Sequence, residues 1–161
     1  MEDSTIKQIM IISLSFLVGM ILTILPLPQW AVWARPEWVF IILIFWVISA
    51  PWRVGIVAAF IVGLVMDLLT GTLLGQHALA FLVVAFLLVK FHPQLKSFPL
   101  WQQLGMIFIL TFLELALQYW VMGLSGTTTK HWGYWLPALT STIIWPWFCV
   151  LLRNRQDSVK I

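Results

Sequence analysis

Gly63-Leu-Val-Met-Asp-Leu-Leu-Thr-Gly-Thr-Leu-Leu-Gly75 sets three glycines and a carboxylate at four-residue intervals inside an apolar run. Glycine weakens a helix by about 1 kcal/mol relative to alanine, and a carboxylate resists leaving water. Extended backward, the spacing runs Gly55, Ala59, Gly63, Asp67, Gly71 and Gly75. On a helix each step of four drifts about 40°, so Gly55 to Asp67 fall within about 120° of one another. Small residues there let a second helix approach closely, which matters where helices associate without a hydrophobic drive. The strip is thus a packing face, used inside the chain's own bundle or against another subunit. Gly71-Thr-Leu-Leu-Gly75 is apolar but poorly helical and reads as a turn or buried loop.

The surroundings say what kind of bundle. Of 161 residues, 61% are hydrophobic and 9% charged. Soluble domains carry roughly 25% charged residues, so this chain cannot keep its surface in water. Apolar runs recur from end to end, with Lys and Arg mostly between them. The fold class is an all-α integral membrane protein in a single polytopic domain, residues 1–161. The first run, Gln8 to Leu25, is longer than a signal core and ends in Leu-Pro-Leu-Pro, so it reads as a retained helix.

Six spans are expected, at Ile9–Leu25, Glu37–Ala50, Val54–Leu69, Ala78–Phe91, Leu100–Met122 and Trp132–Leu152. Crossing about 30 Å of hydrocarbon takes about 20 helical residues, so the second and fourth are short. Either the bilayer thins around them, interfacial residues extend them, or one is re-entrant. Proline supplies the punctuation: Pro26 and Pro28 end the first helix, Pro36 opens the second, Pro51 closes it and Pro99 opens the fifth. Pro137 and Pro146 predict kinks in the last.

Orientation follows from the basic residues. With the N-terminus inside, Lys7, Arg53, Lys90, Lys96, Arg153, Arg155 and Lys160 face the cytoplasm, against Arg35 and Lys130 outside. That bias places both termini in the cytoplasm. The tryptophans agree: Trp30, Trp33, Trp38, Trp120, Trp132 and Trp135 gather near one interface, Trp52 and Trp101 near the other. The basic tail from Arg153 to Lys160 locks topology against anionic headgroups or docks a cytoplasmic partner.

The charged residues inside the spans are few. Asp67 lies near the outer end of span three, and Arg35 sits on the same side, so the two are expected to pair. Glu114 lies at mid-span in span five and reads as a neutral interhelical hydrogen-bonding group with Gln118, or as a ligand or proton site. Arg35, Asp67 and Glu114 are accordingly the candidate buried polar set. No catalytic constellation is visible: Walker, H-E-x-x-H, G-x-S-x-G and dinucleotide signatures are all missing. His77, His92 and His131 fall at or beyond span ends. The single Cys149 rules out an internal disulfide or Cys-based metal cluster, and no metal or cofactor is expected.

Taken in order, several stretches resemble the rod shape-determining protein MreD family. They are Arg35-Pro-Glu-Trp38, Phe45-Trp46, Ala50-Pro51, Arg53-Val-Gly55, the Gly63–Gly75 block with Gln76-His-Ala-Leu79, Leu100-Trp-Gln-Gln103, Trp145-Pro-Trp147 and Leu151-Leu-Arg153. The Gly123–Gly133 loop matches no landmark. The resemblance implies a non-enzymatic bacterial inner-membrane scaffold of the cell-elongation machinery. It further implies binding to the transmembrane helix of MreC, and through it to MreB filaments and the RodA–penicillin-binding protein synthase of side-wall peptidoglycan. Membrane lipids are the other expected partner, and nucleic acid is not one. The helix arrangement also looks similar to the substrate-binding subunit of energy-coupling-factor transporters. The competing function is therefore a small-molecule-binding transporter subunit, with Asp67 or Glu114 reaching the ligand.

Overall fold

The computed structural model describes residues 2–126 and 131–157, all of whose regular structure is helical. The elements are α1 (Glu2–Ile24), α2 (Gln29–Val32), α3 (Trp38–Ser49), α4 (Ile56–Thr70), α5 (Gln76–Lys90), α6 (His92–Lys96), α7 (Leu100–Leu124) and α8 (Leu136–Asp157). A single 3-10 turn, Trp132–Trp135, leads into α8. Lys130 and Lys160, counted in the orientation argument, lie outside the described residues.

Three helices are long and apolar enough to cross a membrane: Thr5–Ile24, Leu100–Leu124 and Trp132–Leu151. Three shorter apolar helices accompany them, Trp38–Ser49, Ile56–Thr70 and Gln76–Lys90. At 1.5 Å per residue, α3 is about 18 Å long, α4 and α5 about 22 Å, and α7 about 37 Å. The chain thus combines full-length and short apolar helices in one bundle.

The short α3 is the centre. Every residue from Val39 to Val47 is buried, and a helix apolar on all sides has no solvent face to offer. α1, α5 and α8 pack around it, α4 pairs with α5, and α7 lies between α5 and α8. α1 approaches α3 at Gly19, whose missing Cβ would stand 2.5 Å from the Ile42 Cδ1 methyl. Ser15 tightens the same contact, accepting the Trp46 Nε1–H at 2.8 Å. In the last turn of α3 the His92 ring reaches the Ile48 carbonyl at 2.8 Å, fastening α6 to the end of α3.

The outer surfaces are apolar. Ile6, Ile9, Met10, Leu14, Leu17 and Ile21 of α1 are exposed, as are Ile143, Trp147, Val150 and Leu151 of α8. Contiguous apolar surface of this extent needs lipid or another protein over it. Pro137 occupies the first turn of α8, where no amide donor is required, so no kink is needed there; Pro146 stands inside the helix.

Candidate functional site

The opening strip is divided between two jobs. Gly55 precedes α4 in an extended conformation, while Ala59 and Gly63 are buried on the side facing α5. A Cβ on Gly63 would stand 2.4 Å from Ala78 Cα and 2.7 Å from Ala78 N, so the two backbones touch and only glycine fits. Gly71 and Gly75 work differently. Both have left-handed φ, +65° and +102°, and nothing within 4 Å of a would-be Cβ. They are there for the turn, Gly71 as the left-handed stop of α4 and Gly75 as the residue before α5. The segment folds α4 back onto α5 as a tight antiparallel hairpin.

Asp67 closes that hairpin. Its side chain is fully buried and accepts hydrogen bonds from Gly75 N (2.7 Å), His77 N (2.8 Å), Ala78 N (3.4 Å) and the Thr72 hydroxyl (3.1 Å). The His77 ring adds a hydrogen-bond contact through Nδ1 at 2.8 Å. Gly75 has no side chain to cap α5, and the first amides of any helix lack internal partners. The carboxylate of the preceding helix takes their place, at the end where the helix dipole favours negative charge.

Arg35 does not pair with Asp67, contrary to the expectation from their shared side. Its guanidinium donates to the carbonyls of Thr23 and Leu25, binding the segment before α3 to the end of α1. The physical reason lies in the turn: Gly71 to Gly75 returns the chain so tightly that His77 and three backbone amides reach Asp67 first. Local donors ten residues downstream displaced a distant cation.

Glu114 sits elsewhere, on α7, fully buried. Gln76 Nε2 donates to Gln118 Oε1 at 3.4 Å, and Gln118 Nε2 donates in turn to Glu114 Oε1. The other carboxyl oxygen, Oε2, has no partner among the described residues. Glu37, just before α3, lies within electrostatic reach of Glu114, His77 and Arg35. Its amide donates to the buried Ser141 hydroxyl at 3.0 Å, tying α3 to α8. The Tyr134 hydroxyl donates to the Leu115 carbonyl at 3.1 Å and closes the far side. The structure thus separates the candidate buried set: Asp67 belongs to the hairpin, Arg35 to the α1 terminus and Glu114 to a polar centre. Sequence reasoning missed His77, Gln76 and Glu37 as members. The signal for His77 was its place just after a glycine-bounded turn.

No group of three or more His, Cys, Asp or Glu side chains is placed to hold a metal ion among the described residues.

The family model described as rod shape-determining protein MreD matches residues 3–155. The chain belongs to the MreD family. Among curated relatives, the Rod shape-determining protein MreD of Haemophilus influenzae is 30% identical over 161 residues, covering 100% of this chain and 99% of that protein. No solved structure matches the chain. MreD membership makes this a shape-determining membrane protein and brings no known enzyme activity with it. Within this MreD chain, the polar side chains described above fasten helix ends and turns, apart from the Glu114 centre.

Proposed function

We propose that this chain is a non-enzymatic scaffold of the rod-elongation machinery in the bacterial inner membrane, with six spans and both termini cytoplasmic. In this reading it holds the transmembrane helix of MreC, and through MreC bears on MreB filaments and the RodA–penicillin-binding protein synthase. The observation carrying it is the contrast between inside and outside. Asp67, His77 and Arg35 are each committed to an internal fastening, whereas the outer faces of α1 and α8 are broad and apolar.

One groove suits a single helix. α1 and α8 wall it, α3 floors it, and it is lined by Leu14, Val18, Leu22, Trp38, Ile42 and Phe148 with a volume of about 360 Å³. Apolar side chains around a shallow channel let a partner helix pack by van der Waals contact, the main drive in lipid. The short α3, α4 and α5 count as spans here because the bilayer thins or interfacial residues extend them.

Site-directed cross-linking tests this. In a Cys149→Ser background, Val18→Cys should form a disulfide with a cysteine scanned along the MreC helix, with helical periodicity. A control cysteine at Phe86, exposed on α5, should not. Equal cross-linking at both positions, or at neither, would remove the groove from the proposal.

The transporter-subunit alternative keeps an architectural analogy to energy-coupling-factor substrate subunits. It requires a closed polar cavity of metabolite size, whereas the clefts along α1, beside α6 and between α1 and α8 are open and apolar, and the cleft at the hairpin end, lined by Gln76 and Ser125, is open too.

A further inference from the structure

We propose that the cleft between the end of α5, the short α6 and the start of α7, with Lys90 at its rim, holds one anionic phospholipid. The acyl chain lies in the cleft and the phosphate at the lysine. The inference goes beyond the scaffold reading and uses other helices than the groove between α1 and α8. It starts from the cleft itself, about 480 Å³ in volume, whose lining includes Leu87, Phe91, Gln94, Phe98, Met106 and Leu110. Ligand clefts occupy about 300–1,000 Å³. Gln94 alone of the lining side chains is polar, which leaves little to orient a metabolite and suits hydrocarbon.

The walls are set by the bundle. Leu95 of α6 is buried in the core, and the His92 ring holds the Ile48 carbonyl of α3. Beyond the other end of α6, Gln103 Nε2 donates to the Phe98 carbonyl at 3.0 Å, and Gln103 Oε1 accepts the Trp145 Nε1–H at 3.3 Å. Depth selects a lipid over a partner helix. Leu110, at the deep end of the cleft, stands about 15 Å along α7 from Leu100, its first residue. Hydrocarbon is about 30 Å thick, so the cleft reaches through one leaflet, as an acyl chain does. A helix crossing the membrane needs a seat about twice as long.

Charge selects the headgroup. Lys90 is exposed in the last turn of α5, and its Nζ stands 5.7 Å over the Phe91 ring, which lines the cleft. That cation–π contact holds the ammonium at the rim and leaves its charge in place. No Asp or Glu occurs between Asp67 and Glu114. Asp67 is engaged in the hairpin at the other end of α5, and about 21 Å of helix separates Gln76 from Lys90. Glu114 is buried one turn deeper along α7 than Leu110. Lys96 adds a second basic residue at the end of α6. The countercharge therefore comes from outside the chain. Exposed Trp101, in the first turn of α7, marks headgroup level, where lipid phosphate is at hand. A zwitterionic lipid brings its own cation and gains less from the lysine.

The test uses the full chain reconstituted in vesicles of equal parts phosphatidylglycerol and phosphatidylcholine with identical acyl chains. The chain is extracted gently, and the lipid it retains is counted by native mass spectrometry. One lysine beside an anionic headgroup corresponds to about a fivefold preference, so retained phosphatidylglycerol should exceed phosphatidylcholine by about that factor. Lys90→Gln should bring the ratio close to one. Lys7→Gln, at an exposed lysine on α1, should leave it unchanged. Met106→Trp fills the cleft and should remove the retained lipid of both kinds. A lysine that only set the chain's orientation would show no headgroup preference after insertion. A wild-type ratio near one would overturn the proposal, as would a ratio unmoved by Lys90→Gln or lowered equally by Lys7→Gln. Absence of retained lipid from wild type would also overturn it and leave the cleft to a protein. The Lys90→Gln result stands even if Met106→Trp fails to fold.

Discussion

Asp67→Ala removes the acceptor for three backbone amides, the Thr72 hydroxyl and the His77 ring together. The amides of His77 and Ala78 stay buried when the carboxylate goes, and the His77 ring loses its partner in the same apolar setting. A buried donor left without an acceptor costs about 1–3 kcal/mol, so losing the acceptor of two buried amides costs about 2–6 kcal/mol, which is about 4–24 °C in the thermal midpoint of a chain this size. Asp67→Asn keeps one acceptor oxygen but turns an NH₂ toward the donors, so it should fall between wild type and alanine. The eleven tryptophans give an intrinsic fluorescence readout in detergent. The proposed binding of MreC should weaken only as far as the folded fraction falls, because Asp67 faces α5 and not the outside. If Asp67→Ala melted within about 3 °C of wild type, the clasp would not hold the hairpin and the account of the strip would fail.

The glycines should divide by mechanism. Gly63→Ala drives a Cβ into the Ala78 backbone and should cost about 3 kcal/mol or more, by overpacking that the backbone cannot relieve. Gly71→Ala meets no neighbour and should cost only about 1–2 kcal/mol, for the left-handed backbone; both are read by thermal midpoint, and the reverse order would refute the assignment. Gly19→Ala meets the end of a flexible isoleucine and should stay within about 1 kcal/mol. Exchanging the charges, Arg35→Asp with Asp67→Arg, should give no rescue over either single change in yield of folded protein, because the two residues serve different fastenings. Rescue would restore the pairing that the structure replaces.

How much of this was readable beforehand follows from range. The all-helical class, the short apolar helix at Trp38–Ser49 and the turn at Gly71–Gly75 rest on composition, apolar runs and glycine placement, all local quantities. The tight approach of α4 to another helix was readable at Gly63 for the same reason. The identity of Asp67's partner was not, because it depends on how sharply the turn returns the chain. Its competitor Arg35 looked equally near when only the side of the membrane was known. Glu114 was conspicuous as a carboxylate in an apolar run, and Gln118 one turn away was within sight. Gln76 joins that centre from another helix, and no periodicity within one helix reports such a convergence.

The central claim is that this MreD-family chain is an assembly component and not a transporter subunit or an enzyme. The most direct measurement is gentle purification from native membranes, with every protein and small molecule that remains bound identified by mass spectrometry. The account predicts a stoichiometric single-span coiled-coil protein, MreC, with no ATPase subunits and no stoichiometric metabolite. A tightly held metabolite accompanied by ATPases would contradict it, and would make the Glu114 centre a substrate pocket.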